Sequence, residues 1–123
     1  MRKAFFLFAL IAVPTMAAPG CDFLPAKDQS VVLRGTVLDD ATGQAVTDMT
    51  WEVYTVRGWA TEALDSGRTD AQGKFQARYE HPCCSDVTLE VNTGVERDYK
   101  VSRQQVYGRG KTITVTVRLV KRR

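Results

Sequence analysis

The chain has 123 residues, room for one domain and an export segment, with 17 basic residues, 14 acidic residues and a formal charge of +3. Arg2 and Lys3 fall within the export segment, which holds no acid, so 15 bases face 14 acids in the remainder. A balance so near neutrality excludes the electrostatic case for nucleic-acid binding, and Lys121-Arg122-Arg123 reads as a solvated terminus.

Met1-Arg2-Lys3 is a short basic start, Ala4 to Val13 is uninterrupted apolar sequence, and Pro14 with the small residues Ala17, Ala18 and Gly20 follows. That order is a secretory signal peptide over residues 1–20. A membrane-spanning helix needs about 20 apolar residues, and this run is about half as long with a proline behind it. Ala18-Pro19-Gly20-Cys21 resembles the lipobox that ends a bacterial lipoprotein signal, with Ala18 where leucine is usual and Pro19 an unusual neighbour for the small residue. The resemblance implies cleavage before Cys21, lipid on its sulfur, and attachment to the periplasmic side of a bacterial membrane. Asp22 then occupies the position that marks inner-membrane retention in lipoproteins of enteric type. The alternative is ordinary cleavage after Thr15-Met16-Ala17, which leaves Cys21 a plain thiol and the domain soluble in the periplasm or secreted.

Residues 21–30 contain Pro25 and several charges with little periodicity, a tether that spans about 30 Å if extended. The texture changes at Val31. Val31 to Leu38 is a strand by its β-branched content, and Asp39-Asp40-Ala41-Thr42-Gly43-Gln44 is turn chemistry. Met49 to Val56 alternates, with Trp51 and Val53 on one face and Glu52 and Tyr54 on the other. Arg57-Gly58-Trp59 opens what reads as a long polar connection reaching Asp65, with a short strand from about Ala63 to Arg68. Thr69-Asp70-Ala71-Gln72-Gly73-Lys74-Phe75 has the residues of a tight turn and is expected to form the middle hairpin. Phe75, Ala77 and Tyr79 then share a face, and Pro82 stops that strand at the His81–Asp86 loop. Val87, Leu89 and Val91 alternate with polar residues, a short strand fits between Tyr99 and Val106, and Ile113, Val115, Val117 and Leu119 form the final inward row. Six to seven strands separated by turn signals, with one apolar row each, predict an all-β sandwich over residues 31–120. Its 103-residue remainder after the signal is long enough to bury roughly 60–70% of its unfolded surface without many disulfides.

Gly35-Thr36-Val37-Leu38-Asp39-Asp40-Ala41-Thr42-Gly43-Gln44-Ala45-Val46 resembles the opening of a carboxypeptidase regulatory-like domain, and Thr69–Phe75 resembles that family's Thr-Asp-x-x-Gly-x-Phe turn. The resemblance spans about residues 31–120, Thr112–Leu119 included, and rests on turn motifs. It implies a seven-stranded transthyretin-like (Ig-like) sandwich of the accessory, non-catalytic kind found in envelope proteins. The Val56-to-Asp65 connection departs from the compact family pattern, which makes Arg57 and Trp59 the candidate binding loop.

Chemistry-bearing residues are sparse. Hydrolases of the transthyretin-like fold use several histidines and a Tyr-Arg-Gly-Ser ending, whereas this chain has only His81 and ends Val120-Lys121-Arg122-Arg123. A Lys–Asn isopeptide cross-link, as in collagen-adhesin repeats, needs a lysine in the first strand, and Arg34 cannot form it. Cys83 and Cys84 are adjacent and are candidates for a disulfide with each other, a strained small ring that could act as a redox switch; two free thiols or pairing with another molecule are the alternatives. His81, Cys83, Cys84 and Asp86 converge poorly for tetrahedral zinc, so neither metal nor cofactor is expected. Asp70 and Gly73 are assigned to the turn, and Trp51 and Phe75 to the core. Trp59 is either a contact residue for a glycan or protein partner or a cover for the sandwich edge. The reading is therefore a non-catalytic, lipid-anchored binding or scaffolding module with the membrane, and an envelope protein or glycan, as partners. A soluble domain with a redox or metal-binding Cys83-Cys84 loop is the alternative, and a hydrolase the weaker one.

Overall fold

Alternation of apolar and polar side chains becomes strand wherever one face can be buried. The computed structural model describes residues 29–83 and 85–123. Among them run β1 (Ser30–Asp39), β2 (Thr50–Arg57), β3 (Ala60–Arg68), β4 (Lys74–Glu80), β5 (Val87–Val91), β6 (Ser102–Val106) and β7 (Lys111–Leu119). They form two sheets, β4-β1-β7 and β3-β2-β5-β6. The expected all-β, seven-stranded sandwich is the fold observed. The signal peptide and residues 21–28 of the tether lie outside the described residues, and its last residue, Ser30, begins β1.

In the three-stranded sheet, β1 is antiparallel to β4, with Leu33 opposite Ala77 and Gly35 opposite Phe75. It runs parallel to β7, with Val37 opposite Val117 and Asp39 opposite Leu119. The four-stranded sheet is antiparallel throughout. The inward rows Val31, Leu33 and Val37, Phe75, Ala77 and Tyr79, Val87, Leu89 and Val91 meet Trp51 and Val53 in one core. Val117 and Leu119 are fully buried, whereas Ile113 and Val115 are half-buried because β7 is an edge strand.

Two aromatic rings cross this core on a common device. Phe75 lies over Gly35, its cross-strand partner, so closely that a Cβ there would sit 2.2 Å from the ring. Trp51 lies over its own partner Gly67, where a Cβ would sit 2.9 Å from the indole. The rings, one from each sheet, stack at 4.8 Å with 26° between their planes. Such pairs add about 0.5–1.5 kcal/mol to the burial of the rings.

The structure corrects two expectations. Thr69–Phe75 is a tight turn but not a hairpin, because β3 and β4 belong to different sheets. Asp70 N–H donates to the Lys74 carbonyl and closes the turn, yet its two ends are stitched to different neighbours. Thr69 exchanges backbone bonds with Asp48 and Met49, and its hydroxyl bridges Met49 N–H and the Val46 carbonyl. Gly73 instead accepts a bond from Val37 N–H on β1 at 2.8 Å. The chain therefore crosses from one sheet to the other.

The second correction concerns the Val56-to-Asp65 connection, which is not long. Arg57 pairs with Ala60, leaving Gly58 and Trp59 as a two-residue hairpin turn. Gly58 at φ +60 takes the first central position, as a type II′ turn requires. The register shifts between Val53 and Tyr54, and this bulge turns Leu64 toward the core.

Candidate functional site

Strand registers decide which loops share an end of the sandwich. Ser30 pairs with Glu80 and Val31 with Lys111, so the start of β1, the end of β4 and the start of β7 lie together. In the other sheet, Arg57 pairs with Ala60, Thr55 with Val87, and Val87 with Val106. A cleft of about 410 Å³ joins the two groups, lined by Arg57, Glu62 and Leu64 from the β2–β3 hairpin and by Tyr79, His81 and Cys83 from the β4–β5 side. This pole also receives the chain where it enters the domain, since Gln29 lines the same cleft. Arg57 from the candidate loop and Cys83 from the cysteine pair are thus brought together, although 25 residues of sequence separate them.

Each group in the cleft has a defined state. Arg57 Nε pairs with Glu62 Oε1 at 2.5 Å across the hairpin, an exposed ion pair of the kind that contributes at most about 1 kcal/mol. Tyr79 is buried and its hydroxyl has no hydrogen-bond partner among the described residues; burial pushes its pKa up to about 12. His81 N–H donates to the Gln29 carbonyl at 2.7 Å, and its Nδ1 stands 2.9 Å from the Pro82 carbonyl. Cys83 is disulfide-bonded. Cys21 and Cys84 lie outside the described residues, as does the lipidation assigned to Cys21. Among the described residues, no group of three or more His, Cys, Asp and Glu could hold a metal ion.

Trp59 is fully exposed at the hairpin tip, with 104% relative accessibility, and so does not cover the sandwich edge. Arg57 and Trp59 stand beside one another on a hairpin rather than in a long loop.

The opposite pole is polar and structural. Asp70 accepts bonds from Gln72 N–H and Lys74 N–H through Oδ1, which is the turn-holding role read from the sequence. Gly73 sits at φ +75, with room for no side chain against the Val37 carbonyl. Sequence reasoning missed a buried pair there: Tyr99 Oη donates to Asp39 Oδ2 at 2.6 Å, while Ala41 and Thr42 N–H groups donate to Asp39 Oδ1. The Tyr99 hydroxyl, with the backbone donor of Thr42, holds the Asp39 carboxyl below its ordinary 3.8, and that same bond raises the Tyr99 pKa. Fully buried Asn92 was missed as well; its amide bridges the carbonyls of Glu96 and Tyr99 and the N–H of Glu96. The run Asp39 to Thr42 carries an Asx-turn signal, but nothing local marks Tyr99 as its partner 60 residues away.

Comparison with known proteins yields fold without family. No protein-family model matches the sequence. No match is found among curated proteins. Among solved structures, the chain is similar to a 3-chlorocatechol 1,2-dioxygenase from Rhodococcus opacus 1CP, with TM-score 0.54, 14% identity, and coverage of 93% of this chain and 69% of that one. It is similar to an (S)-allantoin synthase with TM-score 0.50 and 12% identity, over 79% of this chain and 43% of that one. Against the Bacillus anthracis TIE protein the values are 0.48 and 20%, over 75% of this chain and 17% of that one. The chain thus spans less than half the length of several structures it matches. At these identities the dioxygenase and synthase likenesses show a shared β-sandwich fold.

Proposed function

We propose that the chain is an exported β-sandwich module of the carboxypeptidase regulatory-like type, held to the periplasmic side of a bacterial membrane by lipid on Cys21. On this reading it binds or scaffolds an envelope protein or glycan and catalyses no reaction. The observation that carries the proposal is the N-terminal order of basic start, ten-residue apolar run, and Gly20-Cys21, followed by a short tether that ends where β1 begins at Ser30. The disulfide at Cys83 supports export, because such bonds persist in oxidising compartments. The two recognised turn motifs support the module type, since Asp70, Gly73 and Asp39 all serve backbone geometry. The activities named for the dioxygenase and the synthase belong to those proteins.

A second reading draws on the same disulfide: a soluble domain in which the Cys83 loop is a redox element, with Cys84 as the partner. Mass spectrometry of the mature N-terminus tests both. A diacylglycerol on Cys21 with a Cys83–Cys84 bond supports the anchored module. An unmodified chain starting at Ala18 refutes anchoring, as does a Cys21–Cys83 bond, because one sulfur cannot carry both lipid and disulfide.

A further inference from the structure

The pole at which Gln29 enters the domain also carries the most exposed aromatic side chains among the described residues. Trp59 has 104% relative accessibility and Tyr107 71%, with Val56 beside the hairpin at 53%. Tyr107 follows the end of β6 and precedes β7, so it stands on the same pole as the β2–β3 hairpin. Strand order puts the backbone of β6 two and a half strand spacings, roughly 12 Å, from the middle of the hairpin. Single exposed apolar residues need no explanation. Here, however, a turn holds a full indole clear of the domain at the pole where the chain enters, and a second exposed aromatic stands at the same pole, its hydroxyl donating to Gln105 Oε1 on β6.

We propose that this pole is a membrane-contact surface, on which Trp59 and Tyr107 rest in the headgroup layer of the bilayer that holds the anchor. The inference rests on the anchoring reading above and deepens it. Trp and Tyr favour this layer because each combines an apolar ring with a polar tip. The tether of residues 21–30 reaches at most about 30 Å, which keeps this pole close to the surface carrying Cys21. A short tether raises the local concentration of the pole at the bilayer, to about the millimolar range, so a weak contact is well populated. Charge argues for the rings rather than the bases as the contact. Arg57 is neutralised by Glu62, while Arg109 of the β6–β7 connection and Lys111 at the start of β7 share the pole with Glu80 and Asp86. The surface is thus nearly neutral, unlike a polybasic lipid-binding segment.

The test uses the mature full-length protein reconstituted in phosphatidylcholine vesicles with brominated acyl chains, its Cys21 modification read by mass spectrometry. Trp51 is buried in the core, so quenching and a blue shift of tryptophan emission report on Trp59. The expected result is quenching in the wild type, its loss in Trp59→Phe, and persistence of the wild-type signal in 0.5 M salt (roughly a 4 Å Debye length). If a lipidated protein leaves Trp59 as open to aqueous iodide with vesicles as without, the contact is overturned and anchoring stands. If Cys21 carries no lipid, the anchoring reading fails and the contact that rests on it is overturned with it.

Discussion

Two glycines with the same backbone angle offer a controlled measurement of what the Thr69–Phe75 turn does. Gly73 has φ +75 and Gly43 has φ +74. At Gly43 an added Cβ would meet nothing within 4 Å, so Gly43→Ala reports the left-handed backbone alone, about 1–2 kcal/mol. At Gly73 the same Cβ would lie 2.8 Å from the Val37 carbonyl oxygen and 3.0 Å from Ala45 Cβ. That carbonyl accepts Val46 N–H at 2.9 Å, and Gly73's own carbonyl accepts Val37 N–H at 2.8 Å. Relieving the contact loosens at least one of these bonds, about 1 kcal/mol more. Gly73→Ala is therefore expected to cost about 2–4 kcal/mol, exceeding Gly43→Ala by about 1–2 kcal/mol. The entropy that alanine removes from the unfolded chain is common to both and cancels. Urea unfolding of both variants at neutral pH, with unchanged slopes, gives the comparison. Equal losses in the two variants would show that the turn is not clamped to β1, and the account of how the chain crosses between sheets would fail.

Gly35→Ala should drive Phe75 from its seat, because the new methyl would overlap the ring at 2.2 Å; the expected loss is about 1–3 kcal/mol with a changed near-UV signal from the stacked Trp51. Phe75→Leu in that background should recover part of the loss, and strictly additive effects would contradict the Gly–Phe contact. For the Asp39–Tyr99 pair the sign follows from the two shifts. Asp39 is held below 3.8 in the folded chain, so its contribution is full above that value and is lost as pH falls through the lower folded value. Tyr99 is held above 10.0, so its contribution is full below that value and is lost as pH rises through the raised one. Tyr99→Phe should consequently be less stable than wild type at pH 7, the gap closing at both acidic and alkaline extremes; a gap independent of pH would contradict the buried bond.

Much of the fold was legible because the signals that reveal it are local. Val31–Leu38, Phe75–Tyr79 and Val87–Val91 alternate since one face of each is buried, and the periodicity survives in the sequence. β3 was truncated and its hairpin missed for the converse reason: as an edge strand it is exposed along most of its length, so Thr61, Glu62 and Ala63 show no apolar rhythm. Turn residues such as Asp70 and Gly73 disclosed a reversal of the chain, but not the strand that each arm would join.

By itself, then, the sequence determined the strand content and the structural role of the Asp70–Gly73 turn. Tertiary structure alone decided that β1 runs parallel to β7, that the Thr69–Phe75 turn crosses between sheets, and that Asp39 meets Tyr99. It alone placed Gln29, Arg57, Trp59 and Cys83 on one pole. The reason is range: a local turn or alternation is encoded within a few residues, whereas pairing between distant strands depends on which buried faces fit together once the core has formed.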